Sequence, residues 1–366
     1  MTGSREDYLD QIRRSGLELP PELAAAFASV PREAFVPEGF QRRDGGWVHP
    51  ADPDFLDTVY SDDVLITKVD GKVPISSSSQ PSLMAIMIIA LRVTPGLRIL
   101  EIGAGTGYNA ALLASLGATI TSIDVQEDVA VRARSALARA GIAGVRVEHA
   151  DGYSGVPGSR FDRVIVTVGV GGVSPHWLAQ LDPGGFVVAP VVHAGTDPVL
   201  RVSGPPAGPV AGEPICPAGF MRAAGPLNAG HPGAFPPPVA AGDLTEMAEA
   251  APARFDPPLD DVAYRDLCYA AGALTRRATH AIVAAEEQRH LALVDAAGTG
   301  GAVLLPDGSV LAGGAEAASY AALAVEILDR WTAMGRPPMR AWRVGLSLTG
   351  DPESPIWVPG SWEVAP

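Results

Sequence analysis

The sequence predicts an α/β protein in which a doubly wound parallel sheet is followed by a small C-terminal α+β module. Between residues 82 and 200, short apolar segments alternate with helical patterns, and the links between them are short. Such alternation is typical of a parallel sheet with helices on both faces, and right-handed crossovers make that sheet doubly wound. A stretch rich in Pro, Gly and Ala (203–258) separates this region from a tail with strand and helix patterns of its own.

The N-terminal region is predicted to be helical over residues 5–35 and rich in loops over residues 44–75. The segment DYLDQIRRSG (7–16) carries apolar residues at helical spacing and stops at a glycine. The segment PPELAAAFASV (20–30) starts with proline, which suits the first turn of a helix. Two helices are therefore expected before the sheet begins.

A run of four serines (76–79) comes just before an apolar helix predicted at Leu83–Leu91. Serine is a good N-cap, and Pro81 suits the first helical position, where no N–H is needed. One cap needs only one hydroxyl, however. The run is therefore either a low-complexity connector or a set of hydroxyls that face a polar group.

The alternating region supplies the predicted sheet. Its apolar segments are short and rich in β-branched residues, and the segments between them have helical periodicity. Strands are predicted within 96–103, 118–125, 145–151, 161–170 and 186–192, and helices within 106–117, 126–141 and 176–185.

The domain boundary is placed in the segment HPGAFPPP (231–238), because consecutive prolines give a stiff, extended linker. The chain then divides into a domain at 1–230, a linker at 231–255 and a module at 256–366. Asp307-Gly308 is a hairpin signal inside the module. The module is predicted to hold strands around turns in 279–298 and 301–314, a helix in 316–335 and a final strand in 339–350.

Composition and charge exclude several classes of function. The net charge of −14 argues against a nucleic-acid partner, which would need a basic face. No apolar run reaches the ~18–20 residues of a membrane span, and no secretory signal is seen. Cys216 and Cys268 fit no zinc or redox spacing, so a cytoplasmic location is expected. The tail from residue 231 holds 17 acidic and 9 basic residues, which predicts a solvated acidic surface or a contact with a basic partner.

The segment ILEIGAGTGYNAALLA (99–114) joins a predicted strand to a predicted helix through a G-x-G-x-G pattern. A glycine triplet alone is also compatible with a plain tight turn. Dinucleotide sites use G-x-G-x-x-G to bind pyrophosphate, whereas here the third glycine comes one position early and Tyr108 follows it. Glu101, just before the loop, would repel a phosphate but suits a cation or a ribose hydroxyl. The loop therefore favours a ligand with a positive centre and no phosphate.

Acidic residues also end the next two predicted strands. Asp124 can accept hydrogen bonds from both hydroxyls of a ribose, or it can cap the following helix. In Asp151-Gly152, the carboxylate can accept from an adenine amino group while the glycine lets the base approach, although a bare turn is equally compatible. Because these groups lie at the carboxyl ends of consecutive strands, S-adenosylmethionine is favoured over NAD as the cofactor.

Six segments resemble, in order and spacing, the protein L-isoaspartate (D-aspartate) O-methyltransferase family. The resemblance covers roughly residues 5–225. It implies a Rossmann-like class I methyltransferase sheet, S-adenosylmethionine as cofactor and S-adenosylhomocysteine as product. The segments are VPREAFVP (30–37), SSQPSLMAIMIIAL (78–91), RILEIGAGTGYNAALLA (98–114), DGYSG (151–155), FDRVIVTVG (161–169) and LDPGGFVVAPV (181–191).

The resemblance also implies roles for single residues. Ser79, before the Gln-Pro pair, lies at the methyl-transfer centre, where Ser78, Ser79 and the first N–H groups after Pro81 are expected to hold the substrate carboxylate. No metal is implied, because a carboxylate is already ionised near neutral pH. The cofactor positions are Glu101, Gly103, Gly105, Gly107, Asn109, Asp124, Val125, Asp151 and Gly152. The substrate positions are Ser78, Gln80, Thr167, Val168, Pro190, Val191 and Val192.

Two features depart from the ordinary repair enzymes of this family. The serine run is longer than their ISQP or ISAP segment, and the chain continues well beyond the family core. Both features resemble the branch that matures ribosomal peptides of the graspetide, lanthipeptide and lasso types. That branch implies esterification of an Asp side chain in a macrocyclic precursor peptide and closure to an aspartimide. The alternatives are a general L-isoaspartyl protein-repair methyltransferase, or a non-enzymatic module that binds a peptide.

Overall fold

The computed structural model describes residues 2–14, 16–204, 208–228, 230–231, 247–282, 289–295, 300–349 and 353–365. The proline-rich boundary segment and the middle of the predicted strand pair at 279–298 lie outside these ranges. The helices are α1 (Thr2–Arg13), α2 (Pro21–Ser29), α3 (Phe55–Val59), α4 (Pro81–Leu91), α5 (Tyr108–Ser115), α6 (Glu127–Arg139), α7 (Pro175–Ala179), α8 (Asp261–Leu274) and α9 (Ala317–Ala333). The strands are β1 (Phe40–Gln41), β2 (Trp47–Val48), β3 (Leu65–Asp70), β4 (Val73–Ser78), β5 (Arg98–Ile102), β6 (Thr119–Asp124), β7 (Val145–His149), β8 (Phe161–Val166), β9 (Leu181–Pro190), β10 (Val199–Ser203), β11 (Val210–Cys216), β12 (Ala248–Ala251), β13 (Ala278–Ile282), β14 (Arg289–Val294), β15 (Gly301–Leu304), β16 (Val310–Gly313), β17 (Trp342–Leu348) and β18 (Trp357–Val364).

The central sheet confirms the predicted doubly wound topology. Among the described residues its strand order is β18-β17-β11-β10-β9-β8-β5-β6-β7, and the five strands from β9 to β7 are parallel. The chain runs outward from β5 through β6 to β7, and then returns to the other side of β5 with β8 and β9. The order of the strands therefore reverses between β5 and β8, and ligands bind in the crevice at such a switch point.

Side-chain patterns explain why these segments form the sheet and its helices. Helix α6 buries Val129, Ala133 and Leu137 on one face, at the spacing of an amphipathic helix. Helix α4 is apolar on nearly all sides because it packs between the central sheet and the N-terminal elements, and its Leu91 is fully buried. The alternation of strands and helices could therefore be predicted from local periodicity.

Two predictions about local structure need correction. Residues 44–75 were expected to form loops, but β1 to β4 form a four-stranded antiparallel sheet in the order β2-β1-β3-β4. The serine run is partly in this sheet, since Ser76 to Ser78 end β4. The helix expected in 176–185 stops at Ala179, and β9 already begins at Leu181. Pairing of β9 with β8 and β10 determines this boundary, and neither contact is visible in the local pattern.

The division into separate domains also needs correction. The final strand predicted in 339–350 exists as β17, but it pairs with β11 and β18 at the edge of the central sheet. The part outside that sheet is a five-stranded antiparallel sheet, in the order β12-β16-β15-β14-β13, with α8 and α9. Helix α8 was not predicted; Asp260 caps it by accepting from two backbone N–H groups.

One hydrophobic core joins the C-terminal elements to the central sheet. Leu100 and Val164 of the central sheet belong to the same buried cluster as Leu267 of α8, Leu291 of β14 and Trp331 of α9. An independent domain would have a core of its own. The C-terminal part is therefore built onto one face of the sheet. In the described part of the chain, no helix combines the length and the apolar character that crossing a membrane requires.

Candidate active site

The glycine loop follows β5 at the switch point and leads directly into α5. Gly103, Gly105 and Gly107 have φ angles of +96°, +52° and +87°, in the region that side chains disfavour. A Cβ added at Gly103 would lie 2.7 Å from the hydroxyl oxygen of Thr167, and one at Gly105 would lie 3.0 Å from the carbonyl oxygen of Ser77. The glycines are therefore required both by the backbone conformation and by close neighbours.

Glu101 lies inside the protein and has no contact with solvent. Its two carboxylate oxygens accept hydrogen bonds from Asn109 Nδ2 (2.7 Å) and from the Ser122 hydroxyl. Burial raises the pKa of Glu101 to about 7, although both donors act in the opposite direction. Glu101 and Asn109 were predicted to contact the cofactor; in the structure they are hydrogen-bonded to each other and tie α5 to β5 and β6.

Asp124 ends β6 and connects that strand to the glycine loop. One carboxylate oxygen accepts from the Gly105 N–H (3.1 Å) and the other from the Gln126 N–H (2.9 Å). Burial raises the pKa of this carboxyl group. Helix α6 has Gln126 as its N-cap residue, so Asp124 is not the helix cap. A carboxylate has about four lone-pair sites, so two remain for further donors.

Val125 and Asp151 lie beside Asp124 at the same edge of the sheet. Val125 is 51% exposed, which is unusual for an apolar side chain at the end of a buried strand. Asp151 is exposed and accepts from the Tyr153 N–H (3.0 Å), so Asp151-Gly152 forms a turn. Gly152 packs against Ile102, since an added Cβ would lie 2.7 Å from its side chain. The turn interpretation is therefore correct, and it leaves the outer carboxylate oxygen accessible.

The serine run lies against the glycine loop. Ser76 and Ser78 point to the same face of β4, and both are buried. Ser76 lines a cavity of about 280 Å³ together with Gly105 and Thr106. The hydroxyl of Ser78 is 2% exposed and has no hydrogen-bond partner among the described residues. A buried hydroxyl without a partner is costly, so its presence points to a polar group that is supplied from outside.

Helix α4 is capped by an aspartate and not by a serine. Asp62 accepts from the Ser82 N–H (2.8 Å) and from the side-chain amide of Gln80 (3.1 Å). The expectation that the first N–H groups after Pro81 hold a substrate carboxylate is therefore corrected at Ser82, whose N–H is already occupied. Pro81 is the first helical residue, as predicted. Ser79 is half-buried between β4 and α4.

Arg32 holds this region together and was not recognised from the sequence. Its buried guanidinium donates to the carbonyl oxygens of Val59, Ser61, Asp63 and Ser79, at 2.8–3.0 Å. Four carbonyl groups from two backbone segments, residues 59–63 and Ser79, thus converge on one cation, which is a strong, fixed geometry. The only signal in the sequence was the position of Arg32 within VPREAFVP.

The residues after β8 and β9 differ in their access to the site. Thr167 donates to the carbonyl oxygens of Gly103 (2.5 Å) and Ile102 (3.1 Å), so it borders the glycine loop, as does Val168. Pro190, Val191 and Val192 are buried, and the N–H groups of the two valines donate to Pro198 and Val170. The role of Pro190–Val192 in lining a substrate cleft through backbone contacts therefore stays a prediction.

The chemistry of these residues fits a nucleoside that carries a cation and no phosphate. Asp124 offers free acceptor sites to ribose hydroxyls, and Val125 offers an apolar surface to a base. Asp151 has a solvent-exposed carboxylate oxygen that can accept a hydrogen bond. Two carboxylates at this edge would repel a pyrophosphate. A doubly wound sheet with a glycine loop at its switch point and an acidic residue ending the next strand defines a class I, S-adenosylmethionine-dependent methyltransferase.

Comparison with known proteins identifies the family. Residues 3–204 match the sequence model described as Protein-L-isoaspartate(D-aspartate) O-methyltransferase. The chain therefore belongs to the protein-L-isoaspartate (D-aspartate) O-methyltransferase family, as the sequence resemblance predicted. The match ends within the central sheet, so β11, β17, β18 and the C-terminal elements lie outside it.

Two curated relatives carry the name Protein-L-isoaspartate O-methyltransferase. The Thermotoga maritima protein is 37% identical over 173 residues, or 46% of this chain and 50% of that protein. The Gloeobacter violaceus protein is 34% identical over 186 residues, or 50% of this chain and 79% of that protein. A solved structure described by the same name has a TM-score of 0.54 and 24% identity, and the match covers 97% of this chain and 99% of that one. At this identity the structure supports the fold alone, including its C-terminal part.

Proposed function

We propose that this protein esterifies the free α-carboxylate of an L-isoaspartyl residue in a peptide or protein, with S-adenosylmethionine as the methyl donor. The observation that carries the proposal is the contact between the serine run and the glycine loop, with the partnerless Ser78 hydroxyl beside it. Membership of the family and the names of the relatives support the same substrate class.

On the substrate side, the protein has to align an anion and exclude water. A carboxylate with a pKa of about 4 is already ionised near neutral pH, so no general base is needed. The Ser78 and Ser79 hydroxyls can donate to that carboxylate without adding a positive charge, which would repel a sulfonium. Arg32 fixes the backbone of Ser79 and thereby the position of its hydroxyl. Alignment of this kind can lower a barrier by roughly 7–11 kcal/mol in favourable cases.

On the cofactor side, three residues are proposed to bind S-adenosylmethionine. Asp124 would accept from the ribose hydroxyls, Val125 would contact the adenine, and Asp151 would accept from its amino group. The cofactor, when bound, supplies an electrophilic methyl group. Glu101 and Asn109 position α5 and the glycine loop and do not touch the ligand.

A second candidate is esterification of an ordinary Asp in a constrained, macrocyclic precursor peptide, followed by closure to an aspartimide. The longer serine run of this chain favours it. The C-terminal part does not discriminate, because a solved structure named for the isoaspartyl activity matches nearly the whole chain. In both reactions, esterification turns a poor leaving group into methoxide, so an adjacent backbone amide nitrogen can attack the ester carbonyl and close a five-membered ring with release of methanol.

A comparison of three peptides would test the proposal. The peptides share one sequence and carry isoaspartate, aspartate, or aspartate within a macrocycle at the same position. We expect a gain of one methyl group on the linear isoaspartyl peptide, measured by mass spectrometry. Methylation of the macrocyclic Asp peptide alone would establish the second candidate. Failure to methylate any of the three, together with no heat on titration with S-adenosylhomocysteine, would indicate a binding module.

Two variants separate the proposed roles. Ser79→Ala should lower kcat by about 10- to 100-fold, the usual worth of one hydrogen bond to a charged group, while the Kd for S-adenosylhomocysteine stays close to that of the wild type. Asp124→Asn should have its main effect on that Kd, which should rise. Ser115→Ala, which removes a hydroxyl bonded only within α5, is the matched control. A loss of cofactor binding in Ser79→Ala would remove Ser79 from its proposed role.

A further inference from the structure

A second, larger cleft lies between α4 and the C-terminal elements. Its volume is about 900 Å³, near the upper end of the range for ligand sites. One wall comes from α4, from the end of β11 and from the segment that follows it (together Ile215–Gly219). The opposite wall comes from α8, from the start of β14 and from Met339-Arg340. The proposed methyl-transfer chemistry does not use this cleft.

The cleft carries three arginines whose charge no carboxylate of the described chain pairs with. Arg265, Arg289 and Arg340 are exposed and line it, and none of them forms an ion pair among the described residues. Several other arginines on the surface do form one, for example Arg330 with Glu326. In a chain with a net charge of −14, three unpaired cations around one cleft are a local reversal of charge.

Two acidic residues of the cleft, Asp261 and Asp266, offset part of this charge but are fewer than the three arginines. Asp266 accepts from the Met339 N–H (2.8 Å) and is directed into the protein. Asp261 lies in the first turn of α8, where the helix dipole stabilises it. Arg340 donates its Nε to the Ile215 carbonyl (2.7 Å), which leaves its two terminal nitrogens available.

Apolar side chains complete the walls. Leu83 and Ile86 of α4 are partly exposed and lie one helical turn apart, on the same face. Val262 of α8 is 66% exposed. A ligand that fills the cleft therefore meets apolar surface as well as positive charge, as an extended peptide with acidic side chains would require.

The cleft borders the segment that carries the proposed methyl-transfer centre. Gln80 lines it, and Gln80 directly follows Ser79 in the chain. We propose that this cleft binds an acidic segment of the peptide substrate that flanks the methylated residue. The proposal rests on the proposed function for its substrate, but the binding of the acidic segment can be measured without any reaction.

Binding tests the proposal directly. The probe is a fluorescently labelled peptide with three consecutive glutamates, and its partner has glutamines at those positions. We expect the wild-type protein to bind the glutamate peptide more tightly, by roughly fivefold for each ion pair formed, with the preference falling as salt is added. Fluorescence anisotropy gives the Kd. Equal Kd values for the two peptides at low salt would overturn the proposal.

Charge reversal then locates the site. The double variant Arg265→Glu/Arg289→Glu should abolish the preference for the glutamate peptide. The double variant Arg265→Gln/Arg289→Gln removes the two charges without reversing them, so it should weaken the preference. Arg14→Glu/Arg330→Glu, which changes the charge equally at two exposed positions away from the cleft, should keep the preference. Retention of the preference in both cleft variants, with unchanged thermal unfolding, would overturn the proposed location.

Methylation separates this proposal from the proposed function. Appending the same glutamates to the isoaspartyl peptide should lower its KM in the wild-type protein and not in the cleft variants. If no isoaspartyl peptide is methylated at all, the proposed function fails, while the anisotropy experiment still decides whether the cleft binds acidic peptides.

Discussion

Ser78 illustrates, at the scale of a single residue, how the site differs from an ordinary core. Its hydroxyl is buried without a partner, next to a loop that is held open by glycines. Such a group lowers the stability of the folded chain unless a ligand supplies the missing hydrogen bond. Residues at functional sites often have this property, because the interaction is needed only when the ligand is bound.

Ser78→Ala should therefore have opposite effects on stability and on activity. We expect the free energy of unfolding to rise by about 1 kcal/mol, since the unsatisfied hydroxyl is removed. We expect kcat/KM to fall by about 10- to 100-fold. Urea denaturation and steady-state kinetics measure the two quantities. Ser77→Ala, at the neighbouring position on the other face of β4, is the control and should change both quantities little. A Ser78→Ala variant that is less stable than the wild type, or fully active, would contradict this prediction.

Glu101 should make stability depend on pH. Burial raises its pKa to about 7 in the folded protein, so between its unfolded pKa and pH 7 the folded state binds more protons than the unfolded state. The contribution of Glu101 to stability is therefore greatest at low pH and decreases as pH rises through that interval. The wild type loses this contribution as pH rises, whereas Glu101→Gln does not. The free energy of unfolding of Glu101→Gln, relative to that of the wild type, should therefore increase by up to roughly 3 kcal/mol between about pH 5 and about pH 8. Urea denaturation at several pH values checks this, with the exposed Glu22→Gln as the control. A constant difference across that range would count against it.

At the scale of an element, the start of α4 depends on a residue that is distant in sequence. Asp62 accepts from the Ser82 N–H and from Gln80, so a loop that precedes β3 caps a helix that follows β4. Arg32 then attaches the same loop to Ser79. The position of the serine run is thus set by contacts at both of its flanks.

Removal of the Asp62 carboxylate should weaken this element. Asp62→Ala should lower the free energy of unfolding by about 1 kcal/mol, the usual cost of a lost cap, and should also reduce kcat because Ser79 adjoins the helix start. Asp62→Asn keeps an acceptor oxygen, so its free energy of unfolding and its kcat should both fall less than those of Asp62→Ala. Thermal or urea denaturation with parallel kinetics would detect the difference. Equal losses in the two variants would show that capping is not the cause.

At the scale of the whole molecule, the C-terminal part is integrated into the fold. Strands β17 and β18 extend the central sheet, and the main core includes Leu100 of that sheet and Trp331 of α9. Without residues beyond 246, the edge of β11 and one face of the sheet would be exposed to water, at a cost of roughly 25 cal/mol for each Å² of apolar surface.

A fragment of residues 1–246 should therefore fail to fold as a stable unit, whereas the full chain should unfold in one cooperative transition. Circular dichroism and intrinsic fluorescence, followed together during heating, measure this. Two separated transitions in the full chain, or a fragment that melts cooperatively and binds S-adenosylhomocysteine, would favour the two-domain division that the proline-rich segment suggested.

The sequence by itself determined the parallel strands, most of the helices around them, the glycine loop and the family. These features depend on local periodicity, on backbone conformations that only glycine adopts easily, and on the spacing of short segments, all of which can be read along the chain. The prediction that Asp124 and its neighbours lie together at the strand ends follows from the same rules, because carboxyl ends of parallel strands meet at one edge of the sheet.

Only the tertiary structure decided the surroundings of Ser78, the four carbonyl oxygens around Arg32, the capping of α4 by Asp62 and the burial of Pro190–Val192. It also decided that β17 joins the central sheet and that three arginines face one cleft. The physical reason is the same in each case. Burial, cap partners and unpaired charges are properties of contacts between residues far apart in sequence, and local pattern does not encode which distant groups meet.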